Sequence, residues 1–540
     1  MPRKAAPGDT PVELVELRVL DGPNRFFTRP AVKLEFRADE PGAADAVAAS
    51  AGLAVRRLHV ALGMPAPRVA VRHSFDRRSA ILAFPWRRRA IGQAIGAAAG
   101  RLARSLSEEE RELAALNAVA LGPRPVLPRP AVPIVAITGT NGKSTTTRLI
   151  AHIATTSGMR VGMTNSDGIF VEGRLVEAGD WTGFGGAGRV LGERGLDVAV
   201  LETARGGILL RGIGYANNDV AVVTNVSADH LGLQGIDTLD EMAEVKATIV
   251  RITKPDGWAV LNAEDPRTWA MRRETRARPY AFSLDPEADG ADEAIAAGGR
   301  AAVVERSSLV LRAADRRPLR LAALADVPIA FGGLSRHNVA NALAAAAACD
   351  GLGIAPEAIG DGLRSFGRES AANPGRLNLY ERGGLLAIVD FAHNEAGLAA
   401  LLEVCRGLAG RRGRVRLAYG TAGDRTDEIL HNLGQLAGRG ADDLVICEKR
   451  HYLRGRDLDE MNAILRRGAA EGGYATDVPA APTELEALQH LVGRADAGDV
   501  CAVMTHVERA EIEEWLVREG FEPVDPDRLR ELLGGDGELA

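Results

Sequence analysis

Six consecutive residues, Gly139-Thr140-Asn141-Gly142-Lys143-Ser144, bring glycine, lysine and a hydroxyl together in an order that suits a bound phosphate. They follow the apolar run Ile134–Ile137 and open a stretch with helical patterning from about 143 to 157. A strand, a glycine-containing loop and Lys-Ser at a helix start direct backbone N–H groups and the helix N-terminus at an anion. Lys143 would neutralise phosphate charge and the Ser144 hydroxyl would ligate Mg²⁺, with Thr145 following in the first turn. The spacing departs from G-x-x-x-x-G-K-[ST], because Ile137 stands where that pattern places its first glycine. On the loop alone, an ordinary strand–helix turn remains open.

Three later residues bear on that choice. Glu202 ends the apolar run of VAVLETARGG, where a carboxylate can bind Mg²⁺ or simply face solvent. His230 follows a second apolar run in VVTNVSADHLG, and a neutral imidazole there is a metal ligand or a capping group. Lys246 lies in the helical stretch TLDEMAEVKATIV, as a solvated lysine or as part of the same site. The chain holds only six lysines among 66 basic residues, so the placement of each is informative.

These residues need elements to hold them. Residues 12–37 alternate apolar and charged positions around Asp21-Gly22-Pro23-Asn24, which predicts two strands and a turn. Helical patterns follow at about 44–62 and 90–118, with short strands near 68–72 and 79–84. Prolines at 123, 125, 128, 130 and 133 mark a semi-rigid linker. Beyond it, the strands Val198–Leu201 and Val220–Val223 end in polar residues and alternate with helices. That alternation predicts a parallel α/β sheet with its ligands at the strands' carboxyl ends. Residues 270–330 suggest a β-rich excursion, and a second α/β pattern carries strands at Leu385–Val389, Val415–Tyr419, Asp443–Cys447 and Val500–Met504. The expected domains are therefore 1–122, a linker at 123–133, a central domain at 134–370 and a C-terminal domain at 371–540.

Composition narrows the classes. At 540 residues, several domains are expected. A net charge of -6 gives no electrostatic case for nucleic acid or an anionic membrane as partner. No run is long enough for a membrane span or a signal peptide, so a cytoplasmic location is expected. Cys349, Cys405, Cys447 and Cys501 are far apart and predict buried thiols. Arg87-Arg88-Arg89 would bind an anionic chain or form a solvated face. Homo-oligomerisation stays open.

Taken in order, G-T-N-G-K-S, Glu202, D-H-L-G and Lys246 resemble the Mur ligase family, the ATP-dependent amide ligases. The resemblance continues through Leu261-Asn262-Ala263-Glu264-Asp265-Pro266, Ser335-Arg336-His337-Asn338 with Asn341, and Asn373-Pro374-Gly375-Arg376. It extends to Asp390-Phe391-Ala392-His393-Asn394 and Gly423-Asp424-Arg425-Thr426-Asp427. Within the family, GDWTGFGGA, LETARGGILLRGIGY and the early LRVLDGPNRF are similar to the cyanophycin synthetase branch. Members of that branch carry an ATP-grasp domain between these two parts, where this chain has only the proline linker.

The resemblance implies a Mur ligase-like P-loop central domain with a parallel sheet, an α/β C-terminal domain and a small α+β N-terminal domain. It implies ATP and two Mg²⁺ sites, one at Ser144 and Glu202 and a second at His230 with Lys246, where many family members carry a lysine carbamate. Lys143, His230 and Lys246 are then the catalytic residues. Gly139 to Thr145, Asn338, Asn341, Arg376 and Asp390 are implied to hold the nucleotide, the two asparagines near the adenine. His393 is implied at the substrate. Asp424 and Asp427 are implied at an incoming ammonium, or cap a turn. The expected activity joins an amino acid to a carboxylate through an acyl phosphate, first on aspartate and arginine or cyanophycin-like fragments. A peptidoglycan-precursor ligase and an ATP-binding partner of a separate ATP-grasp protein are the alternatives.

Overall fold

The computed structural model describes residues 11–103, 108–128, 130–228, 232, 234–368, 372–475 and 477–534. His230 and the boundary expected at 370/371 lie outside these residues. By its contacts the chain forms two compact units: residues up to Gly139 with Gly158–Tyr280, and Thr140–Ser157 with Ala281 onward.

The first unit opens with the predicted alternating strands, β1 (Glu13–Leu20) and β2 (Ala31–Arg37), paired antiparallel. After α1 (Ala43–Ala61), β3 (Ala70–His73) and β4 (Ser79–Pro85) complete a four-stranded sheet in the order β1-β2-β4-β3. Val32, Leu34, Phe36, Leu82 and Phe84 point to one face and are covered by α1 and α2 (Arg89–Leu102). Gly92, Gly96 and Gly100 recur every four residues on α2, and a side chain there would press on Trp86, Val32 or Leu14. That spacing lets the helix lie close to the sheet. The helical pattern expected over 90–118 is described as two helices, α2 and α3 (Glu109–Asn117), on either side of 104–107.

The central sheet of this unit contains β5 (Ile134–Thr138), followed in sequence by α4 (Lys143–Thr156) of the second unit. Back in the first unit come β6 (Val161–Thr164), β7 (Gly168–Val171), β8 (Arg174–Ala178), α5 (Phe184–Leu191), β9 (Val198–Glu202) and α6 (Arg205–Leu210). Then follow β10 (Asn218–Val223), α7 (Leu239–Arg251), β11 (Thr253–Asn262) and α8 (Pro266–Ala270). The order β11-β10-β5-β9-β6-β7-β8 puts β5 between β9 and β10, all three parallel. β5, β9 and most of β10 are buried, as their apolar runs require. The carboxyl ends of these strands therefore converge where the loop begins. The hairpin strands β6–β8 were not legible in the sequence.

In the second unit α4 packs against the helices Arg336–Gly351 and Pro356–Ser365. The excursion after Tyr280 holds a strand at Arg278–Ser283, on which the division falls, a short helix at Asp289–Ala296, and the antiparallel strands Arg300–Glu305, Ser308–Ala313 and Arg316–Ala323. The last part is a seven-stranded sheet whose parallel core contains Leu385–Asp390, Val415–Tyr419, Asp443–Cys447 and Val500–Met504. All four match the strands read from the sequence to within one residue. The four cysteines are buried and unbridged.

Candidate active site

Glu202 is the last residue of β9 and stands in register with Ile137 of β5, two residues before Gly139. The pairing is locked where the strands end: Thr203 N–H donates to Ile137 O at 2.7 Å, and the Thr138 hydroxyl donates to Thr203 O at 2.7 Å. Glu202 is only 4% exposed, a hard oxygen donor at the strand's carboxyl end. On the other side of β5, Thr224 N–H donates to Thr138 O at 3.0 Å. A side chain on Gly139 would collide with the Thr224 hydroxyl, which explains the glycine.

Lys246 projects from α7 back to this edge. Its Nζ, buried to 3% exposure, donates to the Gly139 carbonyl at 2.6 Å. The helix is well started: Thr238 and Glu241 form a reciprocal capping box. Thus three residues more than forty positions apart, Gly139, Glu202 and Lys246, meet at one edge of one sheet. The segment leading to Asp229-His230 is braced by residues the sequence motif contained without a role: Asn262 Nδ2 donates to Thr224 O at 2.9 Å, and Val226 N–H donates to Asp265 at 2.6 Å.

In the second unit, Gly142 has φ 84°, a left-handed conformation at the start of α4 that glycine adopts without strain. It also leaves room for Asn341, whose Oδ1 would collide with any larger residue. Thr146 donates to the same Oδ1 at 3.3 Å, and Asn341 donates to Asn338 at 3.1 Å. The structure thus sets Asn341 against the loop and the first turn of α4, with Asn338 bonded to it. The Lys143 ammonium folds over its own loop to Thr140 O at 2.7 Å. Asn373 ties the N-P-G-R segment to α4, accepting from Arg148 at 3.2 Å and donating to Thr145 at 3.4 Å. Asn141 and Asn394 exchange two hydrogen bonds, of 2.9 and 3.3 Å.

Around the C-terminal sheet, the Asp390 carboxylate accepts Leu377 N–H and Ala392 N–H, each at 2.8 Å. Arg376 lies over the Phe391 ring at 4.3 Å. The His393 ring is 5.5 Å from Phe391 and 6.3 Å from His506, and its carbonyl accepts the Thr421 hydroxyl at 3.1 Å. Burial holds the His506 imidazole well below its ordinary pKa, helped by Lys449 and His393, so it is neutral at physiological pH. Asp424 lies 3.7 Å from Arg425. Asp427 opens the helix Asp427–Gly440 and pairs with Arg456 at 2.7 Å. No sequence signal marked His506, Lys449 or Glu484, whereas Asn373 and Asn394 stood inside recognised motifs.

Among the described residues no cluster of three His, Cys, Asp or Glu side chains is arranged to hold an ion. Mg²⁺ at phosphates takes one or two protein oxygens and fills its shell with phosphate and water, so the Glu202 carboxylate fits its chemistry. An ammonium only donates, so Lys246 as an amine fits the loop carbonyl and not a cation.

Residues 137–349 match the Mur ligase middle domain, and residues 375–506 match the Mur ligase glutamate ligase domain. The chain carries these two domains of the Mur ligases, in an α/β fold of that type. It is 40% identical over 374 residues to a cyanophycin synthetase of Crocosphaera subtropica, covering 69% of this chain and 42% of that protein. It spans less than half the length of the cyanophycin synthetases it matches. It is 28% identical over 377 residues to the UDP-N-acetylmuramoyl-L-alanyl-D-glutamate–2,6-diaminopimelate ligase of Corynebacterium efficiens, covering 68% of this chain and 67% of that one. In fold it is similar to a bifunctional folylpolyglutamate synthase/dihydrofolate synthase solved with Mn, AMPPNP and L-glutamate bound. That likeness has a TM-score of 0.52 at 20% identity over 72% of this chain and 90% of the other. No described helix is long and apolar enough to cross a membrane.

Proposed function

We propose that this chain is an ATP-dependent carboxylate–amine ligase whose nucleotide site is the loop Gly139–Thr145. The observation that carries the reading is the meeting of Gly139, Glu202 and Lys246 at the carboxyl edge of the central sheet. The substrate carboxylate attacks the γ-phosphorus of ATP, releasing ADP and leaving an acyl phosphate. The amine then attacks the acyl carbon, phosphate leaves, and the amine's proton passes to solvent. Phosphoryl transfer depends on positioning and on charge neutralisation. Lys143 and the loop amides hold the β- and γ-phosphates; Asn338, Asn341, Arg376 and Asp390 shape the rest of the nucleotide site. Mg²⁺, when bound, supplies further neutralisation of phosphate charge. Ser144 and Glu202 would hold one ion, and His230 with Lys246 would hold a second, the lysine serving there as its carbamate.

His393, Asp424 and Asp427 meet the substrates, for which an aspartyl carboxylate and arginine are the first pair. The 40% identity to a cyanophycin synthetase supports this choice. The 28% identity to a diaminopimelate-adding ligase supports a second reading, a peptidoglycan precursor as acceptor. Incubation with ATP, Mg²⁺ and pooled amino acids or dipeptides, followed by mass spectrometry, tests the proposal. Amide products with ADP release that requires both carboxylate and amine are expected. Nucleotide binding without any amide product would leave only an ATP-binding partner of another enzyme.

A further inference from the structure

The geometry points to Arg25, Arg72 and Glu244 as positioning residues for Lys246, an inference that rests on the reading of Lys246 as part of the nucleotide centre. Glu244 sits on α7 two residues before Lys246. Residues two apart on a helix are about 200° apart around its axis, so the two side chains leave opposite sides of one turn. Lys246 reaches the Gly139 carbonyl at 2.6 Å, while Glu244 is held by the N-terminal sheet.

The grip is a double one. Arg25 donates to Glu244 Oε2 through Nε at 3.1 Å and Nη2 at 2.9 Å. Arg72 of β3 donates through Nε to both Glu244 oxygens at 3.0 and 3.2 Å. The Arg25 side chain is 1% exposed, and paired guanidinium–carboxylate bonds away from water fix geometry as well as charge. Arg25 also donates to Gly235 O at 3.3 Å, and its guanidinium lies 3.7 Å from Glu241. Two turns along the helix, Arg251 donates to Arg25 O at 2.9 Å and to Glu244 O at 2.7 Å.

The β1–β2 connection, with Arg72 of β3, thus holds α7 at two levels with Lys246 between them. A short helix behaves as a rod, so its rotation is fixed by what grips its outer face. Loosening Glu244 lets the helix roll and carries Nζ away from the loop. The N-terminal sheet is on this account part of the nucleotide site, although it touches no phosphate-loop residue through these arginines.

The test is the affinity of the full chain for a fluorescent ATP analogue with Mg²⁺, for the wild type, Arg72→Met, Glu244→Gln, Lys246→Met and the pair Arg72→Met with Lys246→Met. Arg72 is 41% exposed, so its replacement leaves the core intact. Each single change is expected to weaken binding by about tenfold, as the loss of a supporting partner around a metal or phosphate centre does. The double variant is expected to bind no more weakly than Lys246→Met alone, and Arg72→Lys to recover part of the loss. Wild-type affinity in Arg72→Met would overturn the inference. So would a double variant in which the two losses multiply, since a merely structural role acts without Lys246. A wild-type chain that binds no nucleotide would remove the ligase reading, and the inference with it.

Discussion

Asn141 and Asn394, 253 positions apart, face each other with their amides exchanging hydrogen bonds: Asn394 Nδ2 donates to Asn141 Oδ1 at 2.9 Å, and Asn141 Nδ2 donates to Asn394 Oδ1 at 3.3 Å. The second asparagine also caps the helix Glu395–Ala409 by accepting Gly397 N–H at 2.9 Å. One residue of the phosphate loop is therefore joined to the start of a C-terminal helix. Asn394→Ala removes the cap and the loop's partner together. A loss of about 1 kcal/mol is expected from the cap alone, read as a lower urea midpoint. Asn394→Asp keeps the cap, so it should recover that stability while still weakening nucleotide binding.

Gly142→Ala tests the crowding at the loop. The φ of 84° strains any L-residue, and the new methyl would meet Asn341. Strain of about 1–3 kcal/mol is expected, with nucleotide affinity falling further than stability does. Adding Asn341→Ala opens space for the methyl but removes a residue of the proposed nucleotide site, so the urea midpoint should recover in part while the affinity does not.

Lys246→Ala tests the carbamate. If the lysine acts as a CO₂ adduct, activity lost in the variant should return in part with a short carboxylic acid, and wild-type activity should rise with bicarbonate. A variant that neither regains activity with acid nor differs in its bicarbonate response would leave Lys246 as the loop clamp that its bond to Gly139 describes.

The buried pair of Lys449 and Glu484 sets an acid limit on the C-terminal sheet. Burial by itself would raise the Glu484 pKa, but Lys449, the Thr505 hydroxyl at 2.7 Å and His506 N–H at 2.8 Å outweigh it and hold it below the ordinary value. A carboxylate depressed in the folded state contributes stability above its unfolded pKa of about 4.3, and loses it as pH falls toward the folded value. Glu484→Gln strands the Lys449 charge and should cost about 3 kcal/mol at pH 7. The difference from wild type should shrink below pH about 4, which urea melts across pH will show.

Much of this architecture is legible in the sequence. The strands of the C-terminal sheet could be read because each is a short apolar run bounded by polar residues, and four of them fall where the runs lie. Helix α4 was equally plain behind its loop. Strands β6 and β7 were missed because each is only four residues long and opens with or contains a glycine, and β8 because it is exposed throughout and shows no buried face. His506 and Glu484 were missed for a related reason. A lone histidine and a lone glutamate have no local pattern, and only burial reveals that each must find partners.

The sequence by itself determined the local chemistry: a loop of glycines with lysine and serine at a helix start, a carboxylate at the end of a strand and a lysine within a helix. These are decided within a few residues, by backbone freedom, periodicity and the geometry of a helix terminus. Only the tertiary structure decided who stands beside whom. The order of strands around β5 brings Glu202 into register with Ile137, two residues before the loop, α7 turns Lys246 toward Gly139, and Arg25 and Arg72 take hold of Glu244 on the same turn. Such pairings depend on sheet order and helix rotation, which no short stretch of sequence contains.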